Sequence, residues 1–327
     1  MDKTIKRPLR FKPHYKQVIW GGNRIADFKH EAIPMSNIGE SWEISAMPGH
    51  ESVVVGDSEL NGANISRLID EYGADFLGTE VQRKYGNRFP LLIKIIDACR
   101  DLSVQVHPDD SLALQRHSSL GKTEMWYVLG ADADSRIYCG LSSPLNASTY
   151  AKSIEEGTIM KYITTYLSAP RQFYFVPAGT VHAIGAGNLI AEIQEASDIT
   201  YRIYDYNRKD ADGNLRQLHT DQARDAINYD YPNVAMPTSC VFDYTRKNAI
   251  SSDHFQVDFL MIRDEDTAQT VNTEGRSFAV LMVTEGTLEI HYGNNIATCR
   301  AGVTLLMPAC MGKFELHGYA TALLIHC

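Results

Sequence analysis

Between Leu102 and Pro108 the chain alternates, with Ser103, Gln105 and His107 on one face of a strand and Val104 and Val106 on the other. Glu124 follows within twenty residues of Gln105, and His182 comes just after the turn Pro177-Ala178-Gly179. Gln105, His107, Glu124 and His182 are four candidate ligands, and together they predict a metal held inside a small β-barrel. Zinc and similar divalent ions take His nitrogen and carboxylate oxygen, and in catalytic sites they keep a position open for substrate. Two His, one Glu and one amide oxygen fit that description, with Gln105 the uncommon donor. A lone histidine on a strand is more often a hydrogen-bonded core residue, so the set carries the argument and no single member does. The other histidines singled out (His14, His30, His50, His117, His219, His254, His291 and His317) have no comparable setting and read as surface or structural.

The rest of the chain is patterned mostly as strand. Val53–Val55, Phe89–Ile96, Met125–Leu129, Gln172–Val176 and Leu189–Ile193 are short β-type runs punctuated by Gly and Pro. Helical spacing appears over Ala63–Tyr72, closed by Gly73, and over Ser148–Leu167, where one or two helices break near Gly157. A weak internal repeat lays Phe173–His182 on Thr304–Lys313, and Trp126–Gly130 on Leu281–Gly286. This predicts two β-barrels of one kind. The second lacks Gln-x-His and carries Lys313 in the place of His182, so only the first can hold a metal.

Several charged residues lie on apolar segments. Lys94 sits inside Phe89-Pro90-Leu91-Leu92-Ile93-Lys94-Ile95-Ile96, where a buried ammonium must reach water, a carboxylate or a bound anion. Lys122 shares a face with Glu124 and Trp126 and is the better candidate for a substrate contact. Glu192 alternates with Asn188, Ile190 and Gln194. A carboxylate facing the same lumen as a metal is a candidate general acid or base. Asp198 and Arg202 lie near the next turn and strand, and Arg suits an anionic oxygen. Spacing alone favours a surface salt-bridge network for these residues.

Composition narrows the partners. Lys and Arg number 31 against 40 Asp and Glu, a net charge of −9 with no dense basic block, which argues against nucleic acid. The longest apolar runs are too short to span a bilayer, and Met1–Lys16 has no apolar signal-type core. Six scattered cysteines without C-x-x-C spacing predict free thiols in a reducing cytoplasm.

The chain resembles the type I mannose-6-phosphate isomerases of the short bacterial kind, in the cupin superfamily. The resemblance covers nearly the whole length, through Ile19-Trp20-Gly21-Gly22, Gly39-Glu40-Ser41-Trp42-Glu43-Ile44-Ser45, Phe89–Lys94, Leu102–Pro108, Lys122–Tyr127 and Pro177–Arg202. It implies a mainly β protein with two cupin-type jelly-roll barrels and a few inserted helices. Residues 1–240 would form the metal-binding catalytic domain with helical insertions, and 241–327 a second, metal-free domain with a packing or interface role. It implies one zinc per chain on Gln105, His107, Glu124 and His182, with Arg202 as a catalytic arginine and Lys122, Glu192 and Asp198 lining the substrate pocket. Ser103, Lys94 and Trp20 join Lys122 as expected substrate contacts. The partner implied is a small sugar phosphate; the oligomeric state is left open. Unlike the longer members, this chain has no large helical domain, so their lid closure is not carried over. Two rival functions stand beside the isomerase: a metal-dependent cupin oxygenase and a non-catalytic sugar-phosphate-binding cupin.

Overall fold

The computed structural model describes residues 5–56, 58–209, 213–230, 238–239, 246–263 and 268–327. The expected domain boundary between 240 and 241 lies outside the described residues, as does Cys240.

Three antiparallel sheets carry the molecule. The central sheet runs in the order Thr238–Ser239, Gln172–Val176, Glu124–Ala131, Asn188–Glu195, Leu91–Ala98, His14–Gly22 and Ile38–Ile44. The front sheet runs Tyr201–Tyr204, Val104–Val106, His182–Ile184, Arg136–Leu141 and Ile163–Leu167. The third sheet holds the C-terminal strands Arg246–Ser251, Gln256–Ile262, Lys313–His326, Ala279–Tyr292 and Thr304–Met307. It continues into two strands from the start of the chain, Leu9–Lys12 and Val53–Val55. Mainly β architecture was expected and is found, although the pairings among described strands trace three sheets and outline no closed barrel.

Alternation sorts the side chains into layers. On the central strands Leu91–Ala98 and Asn188–Glu195, the side chains of Ile93, Ile95, Ala191 and Ile193 join one core. That core is shared with the C-terminal sheet through Phe259, Val280, Met282, Leu323 and Ile325, and with the helices over 65–85. The opposite face, with Ile96, Ile190, Trp126 and Val128, packs on Ile137, Cys139 and Ile184 of the front sheet. Parity in these strands therefore decides which side chains enter the space between the central and front sheets.

The helix expected over Ala63–Tyr72 is found at Ile65–Tyr72. Asn64 caps it by accepting from the Arg67 amide at 2.8 Å, and Gly73 ends it at positive φ. The expectation of helix through Ser148–Leu167 is corrected. A helix spans Ala147–Glu155 and a 3-10 turn Ile159–Tyr162, but Ile163–Leu167 is an edge strand paired with Arg136–Leu141. Its Ile-Thr-Thr-Tyr-Leu sequence is rich in β-formers, and an available sheet edge overrides the helical spacing of Ile163 and Tyr166. The repeat corresponds to a shared pairing: Gln172–Val176 pairs with the strand beginning at Glu124, as Thr304–Met307 pairs with the strand beginning at Ala279. Lys313 is exposed and lies 3.5 Å from Glu315. The second copy thus places no ligand where the first has His182.

One buried ion pair ties the layers. Lys29 Nζ donates to both Glu43 oxygens at 2.8 and 2.6 Å and reaches the Gly302 carbonyl at 3.3 Å; both side chains are nearly wholly buried. Gly302 has φ +84°, and a Cβ there would stand 2.6 Å from Lys29 Cα, so only glycine admits this approach. Lys29→Met leaves the Glu43 carboxylate buried and unpaired, and is expected to cost about 3–5 kcal/mol of stability. Chemical denaturation would check this, and a loss below about 1 kcal/mol would mean that water reaches Glu43.

Candidate active site

Cross-strand register assembles the site. In the front sheet Arg202 pairs with Gln105, and Gln105 with His182, so three side chains from adjacent strands form one row. In the central sheet Trp42 pairs with Lys94, Lys94 with Glu192, and Glu192 with Trp126. One register step on, Glu124 lies opposite Gln194. The two rows face each other across the gap between the sheets.

His107, Glu124 and His182 meet at its floor, almost fully buried, with their candidate ligand atoms within 4.8 Å of one another. Each histidine is oriented through Nδ1. His107 Nδ1 donates to the Ile199 carbonyl at 2.9 Å, and His182 Nδ1 to the Thr180 carbonyl at 2.8 Å. A carbonyl only accepts, so both rings carry the proton on Nδ1 and turn the Nε2 lone pair inward. Glu124 Oε1 lies 3.4 Å from His182 Nε2, and Oε2 lies 3.6 Å from His107 Nε2. Gln105 Nε2 donates to His182 Nε2 at 3.3 Å, so the amide nitrogen, and not the oxygen expected as a ligand, faces the histidine. Trp126 packs edge-on against His182, with ring centroids 5.3 Å apart. The Pro177-Ala178-Gly179 turn delivers His182: Gly179 takes φ +85°, and its amide donates to the His107 carbonyl at 2.9 Å.

These donors fit a divalent metal. Glu124 Oε1 is buried and has no hydrogen-bond partner, an arrangement that is costly without a cation. The Lys122 ammonium already lies against two of the same lone pairs, 2.6 Å from Glu124 Oε2 and 3.0 Å from His107 Nε2. Burial, reinforced by Lys122, pushes His182 down to about 4 and His107 well below the usual value. Both rings are therefore neutral at physiological pH, the state that ligates. Burial pushes the Glu124 carboxyl up, against the pull of Lys122. The two depressed imidazoles have a consequence for stability. The unfolded chain binds these protons near pH 6.5, whereas folded His182 resists until about pH 4. Stability of the metal-free protein is expected to fall as pH drops through that window, by up to ~3 kcal/mol for His182. Denaturation midpoints at pH 7 and 4.5 would read this, and equal midpoints would show that the rings protonate without cost.

Above the floor opens a cleft of about 380 Å³. Every residue expected to contact substrate lines it: Trp20, Lys94, Ser103, Lys122, Glu192, Asp198 and Arg202. Glu192 is locked between Lys94 Nζ at 3.0 Å and Trp126 Nε1 at 3.0 Å. Burial would raise its carboxyl, but Lys94 and Lys122 more than reverse that and leave it ionised. Arg202 Nε donates to Ser103 Oγ at 3.3 Å, and Nη1 to the Gln217 carbonyl at 2.9 Å. Asp198 stands on the rim, about half exposed and 3.6 Å from Lys16.

Sequence reasoning missed Lys16, Glu40 and Arg216, which also line the cleft. Lys16 Nζ lies 3.6 Å over the Trp42 ring, while Glu40 accepts from Trp42 Nε1 at 2.6 Å and approaches Lys94 at 3.9 Å. Glu40 lies inside the Gly-Glu-Ser-Trp-Glu motif, a signal that was present but carried no assigned role. Lys16 and Arg216 had no local signal. The lining holds five cations (Lys16, Lys94, Lys122, Arg202 and Arg216) against three carboxylates (Glu40, Glu192 and Asp198). In a chain of net charge −9 that is a local reversal of the global field.

A buried His/Glu/His donor set beneath a cation-lined cleft, set between antiparallel sheets, is suited to an enzyme that holds a metal and takes a small anionic substrate. Residues 9–133 match the catalytic domain of type I phosphomannose isomerases. The chain is 36% identical over 327 residues to mannose-6-phosphate isomerase ManA of Bacillus subtilis, with 98% of each chain covered. It is 33% identical to mannose-6-phosphate isomerase of Streptococcus mutans, with 96% of each covered. Its fold superposes on a crystal structure of mannose 6-phosphate isomerase from Bacillus subtilis with a TM-score of 0.86 at 31% identity, covering 98% and 99% of the two chains. The chain belongs to the type I phosphomannose isomerase family.

Proposed function

We propose that this protein is a zinc-dependent aldose–ketose isomerase that interconverts mannose 6-phosphate and fructose 6-phosphate through a cis-enediol. The observation that carries this reading is the buried His107/Glu124/His182 donor set in contact with Gln105 and Lys122, which line a cleft with a surplus of cations. The Bacillus subtilis and Streptococcus mutans relatives that match nearly the full chain are mannose-6-phosphate isomerases.

Gln105, His107, Glu124 and His182 would hold the ion, whose chemistry is Lewis-acid polarisation of the sugar carbonyl and hydroxyl. The surplus of cations holds the dianionic phosphate and orients the open-chain sugar. Glu192, ionised and aimed into the cleft, takes the proton from C2 at Oε1 as the carbonyl oxygen O1 gains one, giving the enediol. Returning the proton to C1 while O2 loses its own completes the ketose, so atoms and electrons balance within the sugar. Drawing Lys94 onto a substrate oxygen removes the contact that depresses Glu192, which raises its basicity at the moment it is needed. Arg202, steadied by Ser103, places a fixed positive charge against the developing oxyanion. Asp198, on the rim beside Lys16, has a positioning role at the mouth. The five described cysteines are free, which supports the reducing cytoplasm as the setting.

A coupled assay of the purified protein with mannose 6-phosphate tests the reading. Turnover is expected, lost with chelator and restored by zinc. Zinc bound without turnover would sink the isomerase and favour a binding protein, whereas oxygen consumption with iron would favour an oxygenase.

A further inference from the structure

A second set of donors lies behind the segment that carries Lys122 and Glu124. Asp110 opens the helix Asp110–His117, Glu195 ends the strand Asn188–Glu195, and His254 sits in the turn between Arg246–Ser251 and Gln256–Ile262 of the C-terminal sheet. From sequence His254 reads as surface or structural. In the fold, one ligand atom from each of the three residues lies within 4.8 Å of the others.

Both carboxylates are held by the same piece of chain. Asp110 Oδ1 accepts the Gly121 amide at 2.7 Å, and Glu195 Oε2 accepts the Thr123 amide at 2.8 Å. Each keeps one oxygen for something else. Glu195 is only 2% exposed, and its Oε1 has no hydrogen-bond partner. The closest group is His254 Nδ1 at 2.9 Å, and the Glu195 carboxylate beside it raises the His254 pKa, so without a metal the two form an ion pair. A carboxylate this deeply buried calls for a positive partner, and either a proton on His254 or a metal ion in its place supplies one. Two donors on one tetrahedral zinc, at bond lengths of ~2.0–2.2 Å, stand about 3.3 Å apart. The 2.9 Å contact is close to such an edge. The catalytic donor set shows the same signature, an unpartnered Glu124 Oε1 facing an imidazole nitrogen at 3.4 Å. Lys84, a nearby cation, donates to the Asp253 carbonyl, and its charge works against the rise that Glu195 causes in the His254 pKa.

We propose that Asp110, Glu195 and His254 form a second metal site, taking a first-row divalent ion of the zinc type. The two carboxylates balance its charge once His254 gives up its proton to it, and exposed Asp110 leaves room for water as the remaining ligand. The site is structural. It fastens the turn carrying His254, from the C-terminal sheet, to the amides of Gly121 and Thr123, and so fixes the backbone on either side of Lys122. It is independent of the isomerase reading, since it shares no donor with the His107/Glu124/His182 set.

Zinc titration of the metal-stripped full chain, read by metal content and thermal unfolding, tests it. The expected result is two zinc per chain in the wild type and one in His254→Ala. Asp110→Asn keeps the oxygen that Gly121 needs and removes the charge, so it also should bind one while remaining folded. His182→Ala should lose the other ion and keep this one. The second equivalent should raise the melting temperature of the wild type and of His182→Ala but not of His254→Ala. Saturation of the wild type at one zinc would leave a bare imidazole–carboxylate contact and overturn the proposal. So would two equivalents persisting in both His254→Ala and Asp110→Asn.

Discussion

His182→Ala is expected to lower kcat for mannose 6-phosphate by about a thousandfold or more, the equivalent of the several kcal/mol of charge stabilisation that a bound metal supplies. The position tolerates no substitute because its role is set from three sides. The Thr180 carbonyl fixes the tautomer, Trp126 fixes the ring plane, and Glu124 Oε1 waits 3.4 Å from Nε2. Alanine keeps the strand pairing with Gln105 and Cys139, which is made by backbone, so the fold should survive while metal at this site is lost. Metal content and kcat measured on one preparation separate the two losses. A variant that keeps its metal and turns over at the wild-type rate would remove His182 from the ligand set.

Arg202→Ala is expected to lower kcat a hundredfold or more with little change in bound metal, on the scale of removing one oxyanion-stabilising donor. Arg202 lies directly across from Gln105, so its guanidinium is aimed along the same row as the metal donors without being one of them. Its other contacts, to Ser103 Oγ and the Gln217 carbonyl, hold it in place and do not neutralise it. Lys in its place should recover only part of the rate, because a point charge cannot reproduce the fork. Near-wild-type turnover in Arg202→Ala would leave the arginine as a binding group alone.

Much of this site was legible from local pattern. Alternation over Ser103–His107 put the polar side chains on one face. The later Lys-Thr-Glu and Pro-x-Gly-Thr-Val-His segments supplied the rest of the donor set, and the ordered motifs pointed to the family. The failures were of two kinds. Ile163–Leu167 has spacing that fits a helix as well as a strand, and only the free edge of Arg136–Leu141 decides between them. Lys16 and Glu40 lie far along the chain from the metal donors and sit in the cleft because of sheet order, which no local window contains, and Arg216 reaches it from the segment after Tyr201–Tyr204, outside the sheets. Lys94 shows both sides. Its oddity in an apolar strand was visible, but its partner was open among water, a carboxylate and an anion until register set Glu192 opposite it.

The sequence by itself determined which residues could ligate, which faces of the strands they occupy, and that the second repeat lacks a donor at Lys313. These follow from side-chain chemistry and a period of two, both local. The tertiary structure decided what stands opposite what. Strand pairing aligned Arg202, Gln105 and His182, faced them with Lys94, Glu192 and Trp126, and drew Leu9–Lys12 and Val53–Val55 into the C-terminal sheet. It also brought His254 to Glu195. Register between distant strands is fixed by the packing of whole layers, so the charge on a neighbour, and with it the work a residue can do, exists only once the sheets have closed on each other.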